Sequence, residues 1–520
     1  MSTHGEQVAG VAVGTSPPAA AVPGNDWTLL DVRAPEELAP EATISVVIEG
    51  PGGDSLSPLT DAALGAQSYP AGLVEVIEPG AWHEPSGDVV VFLGAGTIPG
   101  PDLLAAHARW HGLAGDVVSL GPAIPIDASG VAADAVRAAA SAAELDALLD
   151  PLRLPGDDPF DLVLDLTREL TDPGHGLLLG AALGTLCLRR ETLAAIGGLT
   201  PGPQGSWALS RLDLVLRLWC FGATFAPEPL GHSWSMDGGE SAELGRAIAA
   251  AAVERRTLEL EYPEIASAVP LPPLRPTASP RRFRRPAVVV NVDAGSEPAA
   301  EVLATIEPIL NGRFGDLELR IQVDDDNPDR GQIVAAADRD DRALVAPPST
   351  EGFCESPFQV FIPGVARPDP RTLADLHHLL VVEGAGALHV TVPGAPPQDT
   401  MIEAIATRAL ARSARVAETT GEEPEAVLGN LFGERWLSGV EVSVRRHGVD
   451  EPHVTEHGPL SAATDVEHER IQHLRFRDRA DDLEELAAAQ AAKVLSERLR
   501  VREERLKAER LEAKLRRLRG

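Results

Sequence analysis

The 520-residue chain has almost no lysine: three Lys stand against 42 Arg. GC-rich coding produces such a bias, and an acidic, salt-adapted proteome is the other account. Cysteine is equally scarce. Cys187, Cys220 and Cys354 are too few and too widely spaced for a disulfide framework or a cysteine zinc cluster, as expected in a reducing cytoplasm. Long apolar runs are missing too. Leu177–Leu188 is twelve residues, short of the ~18 that a membrane span needs. The opening MSTHGEQVAG lacks the basic start and apolar core of a signal peptide. The expected location is therefore the cytoplasm, with at most peripheral contact with the inner face of the membrane. A formal net charge of −33 disfavours nucleic acid as a partner, because phosphate repels an acidic surface.

What is present is enough apolar residue, 44%, to bury real cores in two or three domains. Residues 1–40 open with an Ala/Gly/Pro/Ser-rich stretch and read as a flexible leader. From 41 to 262, strands alternate with helices. ISVVIEG (44–50), LVEVIEPG (73–80), VVVFLG (89–94) and DVVSLG (116–121) are apolar strands. Helices are expected over 59–70, 101–113, 189–197 and 210–221. This alternation implies a mostly parallel sheet covered on both faces. Residues 263–286 hold seven prolines and five arginines and read as a linker. The alternation restarts over 287–455, with a strand at 287–295, a helix at 297–310 and a strand at 317–323. Residues 465–519 contain no Pro or Gly and read as one charged helix, a surface for self-association or a protein partner. Eleven of residues 493–520 are basic and five are Glu, so a basic tail follows an acidic body.

The restart reads as an internal repeat. FLGAGTIPGPDLLAAH (92–107) and FIPGVARPDPRTLADLH (361–377) place Phe92 over Phe361 and Pro99 over Pro368 without a gap.

The landmarks ISVVIEG, DAALGAQSYPAGLVEVIEPG (61–80), VVVFLGAGTIPGPDLLAAHARWH (89–111), LGTLCLRRETLAAIGGL (183–199) and WALSRLDLVLRLWCFGATFAPEPLGHSWS (207–235) occur in that order. In order and character they resemble family 2 glycosyltransferases. The resemblance implies a Rossmann-like α/β GT-A fold of the nucleotide-diphospho-sugar transferase type. A second, degenerate GT-A-like domain and a long C-terminal helix would follow. It further implies sugar transfer from a nucleotide sugar in cell-envelope or polysaccharide synthesis. Mg²⁺ or Mn²⁺ would neutralise the diphosphate, and a carboxylate would deprotonate the acceptor.

The carboxylates that such chemistry needs are absent at their places. By the resemblance the metal pair falls at Gly94 and Gly96, and the acids that supply the base fall at Ser210 and Arg211. The nucleotide-facing strand end reads Glu78-Pro79-Gly80. No metal ligand set is expected; His232 is at most a single candidate. Asp213 and Arg217 remain as catalytic candidates, although an i,i+4 ion pair between them would be structural. Glu78, Gly94, Gly96, Trp207, Arg211, Asp324 and Asp325 are substrate-binding candidates. Against each stands a bland reading: a plain turn at 94–96, a charged turn at 324–326, core positions for Trp82, Trp110, Trp207 and Trp234, and surface positions for His377 and His378. ERWLSGVEVSVRRHG (434–448) echoes the Trp-containing motif of the first domain. Two functions stay open. One is an active transferase with altered, metal-independent chemistry. The other is a non-catalytic homologue that binds or scaffolds through its tail.

Overall fold

The computed structural model describes residues 17–32, 42–49, 56–78, 84–139, 141–154, 159–171, 184–199, 207–236, 286–312, 314–346, 354–392, 401–439 and 441–444. The expected 465–520 helix and all but the last residue of the 263–286 linker lie outside these residues.

The first sheet has six strands in the order β2-β1-β3-β7-β5-β8. They are β1 (Ile44–Glu49), β2 (Val74–Ile77), β3 (Val89–Gly94), β5 (Val117–Gly121), β7 (Thr185–Arg189) and β8 (Thr224–Pro227). The apolar runs of β1 and β3 are buried along nearly their whole length, as expected of central strands covered on both faces. A three-stranded sheet, β4 (Thr97–Pro99), β9 (Ser233–Ser235) and β6 (Ala123–Pro125), sits beyond the end of β3.

Two helices are shorter than the sequence predicts. Helix α1 is Pro58–Leu64, capped by Ser57, whose hydroxyl accepts from the Leu59 amide at 3.3 Å. It stops before Gly65 rather than at Pro70. Pro70 disfavours helix at the residue before it, and the Ser68 amide donates to Pro101 O instead. Helix α2 is Leu103–Ala108, followed by a 3₁₀ turn over Arg109–Gly112. Helices α3 (Ala133–Ala138), α4 (Ala142–Leu149), α5 (Pro159–Leu166), α6 (Arg190–Ala195) and α7 (Trp207–Phe221) complete the first lobe.

The second sheet has the order β12-β11-β10-β13-β15-β14-β16. Its strands are β10 (Val288–Gly295), β11 (Leu317–Val323), β12 (Ala343–Val345), β13 (Phe358–Pro363), β14 (Ala387–Thr391), β15 (Met401–Ala406) and β16 (Glu434–Ser438). Helices α8 (Ala299–Leu310), α9 (Arg330–Ala337), α10 (Thr372–Glu383), α11 (Thr407–Thr420) and α12 (Pro424–Phe432) accompany them.

Apart from the added edge strand β12, the two sheets have one plan. In each, a first strand lies between two parallel neighbours. The third strand then pairs antiparallel with a later one, which pairs antiparallel with an earlier one, which is parallel to the last. Registers agree as well. Phe92 faces Val47, the fourth residue of β1, and Phe361 faces Asn291, the fourth of β10. Pro99 pairs antiparallel with Ser233, and Pro368 with Val444. In this plan strand β16, within 434–448, stands where β8, within the Trp-containing motif of 207–235, stands in the first lobe.

The lobes meet through helix α11 and the leader. Arg412, fully buried, donates from Nε to Gly222 O (2.6 Å), from Nη1 to Gly24 O (2.6 Å) and Val22 O (3.3 Å), and from Nη2 to Ala223 O (2.8 Å). One turn earlier, the Arg408 guanidinium lies 3.8 Å from the Trp219 ring centre. Arg415 reaches Phe221 O at 2.6 Å and Asp116 at 3.3 Å. Burial holds all three arginines below their usual pKa, Arg412 at about 10. Arg412 and Arg415 thus cap the C-terminal end of α7, where carbonyls lack helical partners, while Arg408 lies over the ring of its Trp219.

Residues 17–32 are not the loose leader that composition predicts. Ala20 and Val22 are buried beside Trp110, Val117 and Ala226. The buried Asn25 amide donates to Leu170 O and Phe225 O and accepts from the Phe225 amide. Gly24 N donates to Leu431 O of the second lobe at 2.8 Å.

Candidate functional site

Strand β3 ends at Gly94, and the turn Gly94-Ala95-Gly96 that follows is largely engaged with its surroundings. Ala95 N donates to Glu49 O (2.6 Å), Ala95 O accepts from the Thr60 hydroxyl (3.1 Å), and Gly96 O accepts from Met236 N (2.8 Å). Glu49, the last residue of β1, lies in register beside Gly94. It is the residue that sequence reasoning missed. Its side chain is 6% exposed, and Arg211 on the first turns of α7, 1% exposed, binds it. Arg211 Nε donates to Glu49 Oε2 at 3.1 Å, a second guanidinium nitrogen reaches the same oxygen, and Nη1 donates to Gly184 O at 3.2 Å. The guanidinium carbon lies 5.8 Å from the centre of the Phe92 ring. The signal in the sequence was an acid closing an otherwise apolar strand, with nothing beside it to name its partner.

Two further candidates form their own pair. Arg217 Nε donates to Asp213 Oδ2 at 3.0 Å, and Arg217 Nη1 donates to Ile196 O (2.7 Å) and Gly198 O (2.6 Å). This arrangement ties α7 to the turn after α6. His232 Nε2 lies 3.1 Å from Asp146 Oδ1, its ring edge-on to Trp234 at 4.8 Å. Glu78 is exposed after β2. Trp207 heads α7, and its side chain lies outside the described residues, as does Trp82. Trp110 and Trp234 are core residues. Asp324 and Asp325 belong to the other lobe, in the turn after β11, where Asp325 pairs with Arg330 at 3.4 Å. The structure therefore brings together Arg211, Gly94 and the unanticipated Glu49. Gly96 lies in the same turn, whereas the Asp213–Arg217 pair, His232 and the turn of Asp324 and Asp325 stand apart in separate contacts.

The second lobe repeats this strand end, and among the described residues no cation pairs with its acid. Asp293 occupies the place of Glu49, and its carbonyl accepts from Gly364 N at 2.7 Å, as Glu49 O accepts from Ala95 N. Asp293 is exposed.

The residues at 94–96 do not fit a divalent cation. Glycine and alanine bring no side-chain oxygen, and the neighbouring carboxylate is held by a guanidinium. Among the described residues, no three His, Cys, Asp or Glu side chains converge in a metal-holding geometry.

Buried histidines behind the sheet are also unsuited to proton transfer. The ring nitrogens of His107 lie 2.8 Å from Ser119 Oγ and 3.0 Å from Thr185 Oγ1, and His111 Nε2 lies 3.1 Å from Cys187 Sγ. Burial first, with nearby positive charge second, lowers the pKa of His107 to about 3. Burial likewise sets His111 at about 3. Burial also pushes the Cys187 thiol up. His377, expected at the surface, is buried between Phe314 and Phe358, whose ring centres lie 4.9 and 5.1 Å away.

No family model matches the chain, and no curated protein does. Solved structures align with part of it. S. aureus TarS 1–349 in complex with UDP-GlcNAc is similar at 10% identity and a TM-score of 0.23, over 33% of this chain and 61% of that one. Glucosyl-3-phosphoglycerate synthase from Mycobacterium tuberculosis, in complex with Mn²⁺, UDP and phosphoglyceric acid, is similar at 14% identity and a TM-score of 0.22, over 35% and 80%. This chain thus spans less than two thirds of the TarS fragment, and likeness of this degree carries nothing about activity. Among the described residues, no helix is long and apolar enough to cross a membrane.

Proposed function

We propose that the chain is a tandem GT-A-like glycosyltransferase homologue that has lost the transfer reaction and serves cell-envelope or polysaccharide synthesis as a binding or scaffolding subunit. The observation that carries this reading is the buried Glu49–Arg211 pair beside Gly94. A diphosphate leaving group needs a cation or positive donors that face it. Here Arg211, at the strand end, is turned inward onto a carboxylate and a backbone carbonyl. By the resemblance, the positions of the metal-holding carboxylates are Gly94 and Gly96, which offer a metal no side-chain oxygen. The matching strand orders and registers of the two sheets support descent of both lobes from one duplicated unit.

Calorimetry with UDP-, GDP- and dTDP-sugars, with and without Mn²⁺, tests the reading. The expected result is no saturable heat and no release of nucleotide on adding saccharide acceptors. Saturable binding followed by nucleotide release would establish the active transferase instead. Scaffolding through the tail predicts that deleting 465–520 removes co-purifying partners while both lobes still fold. An unchanged partner set would refute that part.

A further inference from the structure

In the first sheet, the cross-strand row Phe92–Leu186–Leu120–Pro227 is buried throughout. By the shared register, the same row of the second sheet is Phe361–Glu403–His389–Trp436. The fold does not demand this change, since apolar residues fill the row in the sister sheet. In the first lobe α3, α4 and α5 lie between β6 and β7, and α5 contributes Phe160 and Val163 to the cluster that covers the row. The connection from β14 to β15 is short, and helices α11 and α12 pack on the neighbouring row, Ala387 and Ile405. Among the described residues, a shelf is left open at the sheet edge.

The shelf has a defined chemistry. Trp436 is 60% exposed on the edge strand β16. One face of its indole rests on the His389 ring, 4.6 Å between centres and 24° from parallel, which leaves the other face outward. Glu403 and Glu434 flank the imidazole at 3.3 and 3.5 Å, one at each ring nitrogen. A supported, outward aromatic face with carboxylates at its side matches the two surfaces of a pyranose. The polarised C–H face lies on the electron-rich ring, and hydroxyls at the rim donate charge-assisted hydrogen bonds to carboxylate oxygens. We infer that the edge of the second sheet is a saccharide-binding shelf, with Trp436 as platform and Glu403 and Glu434 as hydroxyl acceptors.

The choice of a saccharide as ligand rests on the function proposed above. The site does not include Glu49 or Arg211, so nucleotide-sugar calorimetry and saccharide binding at the shelf succeed or fail separately. The test uses the full chain, with maltotetraose, cellotetraose and chitotetraose as probes and arginine amide as a cationic control, read by saturation-transfer NMR and calorimetry. At least one tetrasaccharide should bind saturably. Trp436→Ala should weaken it about tenfold, the scale of a lost aromatic stack, with Trp436→Phe retaining most of the affinity. Glu403→Gln should weaken binding less and leave the melting curve unchanged. Absence of binding by all three saccharides would overturn the assignment. So would equal affinity in Trp436→Ala, or binding of arginine amide in place of the saccharides.

Discussion

Arg412→Ala measures most directly what holds the two sheets together. The guanidinium makes four hydrogen bonds to carbonyls of the leader and of the α7 end. Bonds of this charged kind contribute roughly 1.5–3 kcal/mol each. Two effects oppose them. The fall of the Arg412 pKa from 12.5 to about 10 corresponds to about 3 kcal/mol of uncompensated burial. Ordering the side chain costs up to about 2 kcal/mol more. The net loss on truncation is then about 4 kcal/mol, close to that of other broken buried ionic contacts. Differential scanning calorimetry should show the main transition lowered by roughly 8–16 °C, on the scale for 150–250-residue domains. It should also broaden or split as the lobes uncouple. Arg412→Lys should recover little, because an ammonium cannot serve carbonyls on three sides as a planar fork does. A single transition within about 1 °C of wild type would refute the reasoning, since burial and bonding would then cancel.

Two further outcomes follow from the first lobe. Arg211→Met should destabilise by about 3–5 kcal/mol in denaturant melts by leaving Glu49 buried and unpaired. Arg211→Met with Glu49→Leu should regain most of that loss; a double variant no better than the single would refute the pairing. His107 and His111 are held neutral near pKa 3, well below the unfolded value of 6.5. The unfolded chain therefore binds more protons between these limits. Stability is fully present above pH 6.5 and declines by about 1.4 kcal/mol per pH unit for each histidine as pH falls toward 3. His107→Gln should flatten the acid limb of a stability–pH curve, and an unchanged slope would exclude this cause.

The architecture was largely legible because its central strands are short, β-branched and bounded by turns. ISVVIE and VVVFLG became β1 and β3, and LELRIQV became β11 over its whole length. The Phe92–Phe361 and Pro99–Pro368 correspondence, read from letters alone, reappears in strand register. Illegible were features whose partners lie far along the chain. Glu49 and Arg211 are 162 residues apart, and nothing local marks them as a pair. Arg408, Arg412 and Arg415 have the spacing of a solvated helix face, and only the α7 end shows that the face is buried. The three-residue strands β4, β6 and β9 are too short for any period to register.

The leader has a consequence for the order of assembly. Gly24 and Arg412 are hydrogen-bonded across 388 residues of sequence. On a ribosome the segment around Gly24 emerges well before its last contact surface, helices α11 and α12, which follow only as the second sheet is being completed. Contacts of such separation form late and close a large loop. Until α11 is made, the first lobe therefore lacks the contacts that fasten its strap and cover the end of α7. Translation of the second lobe is what completes the first.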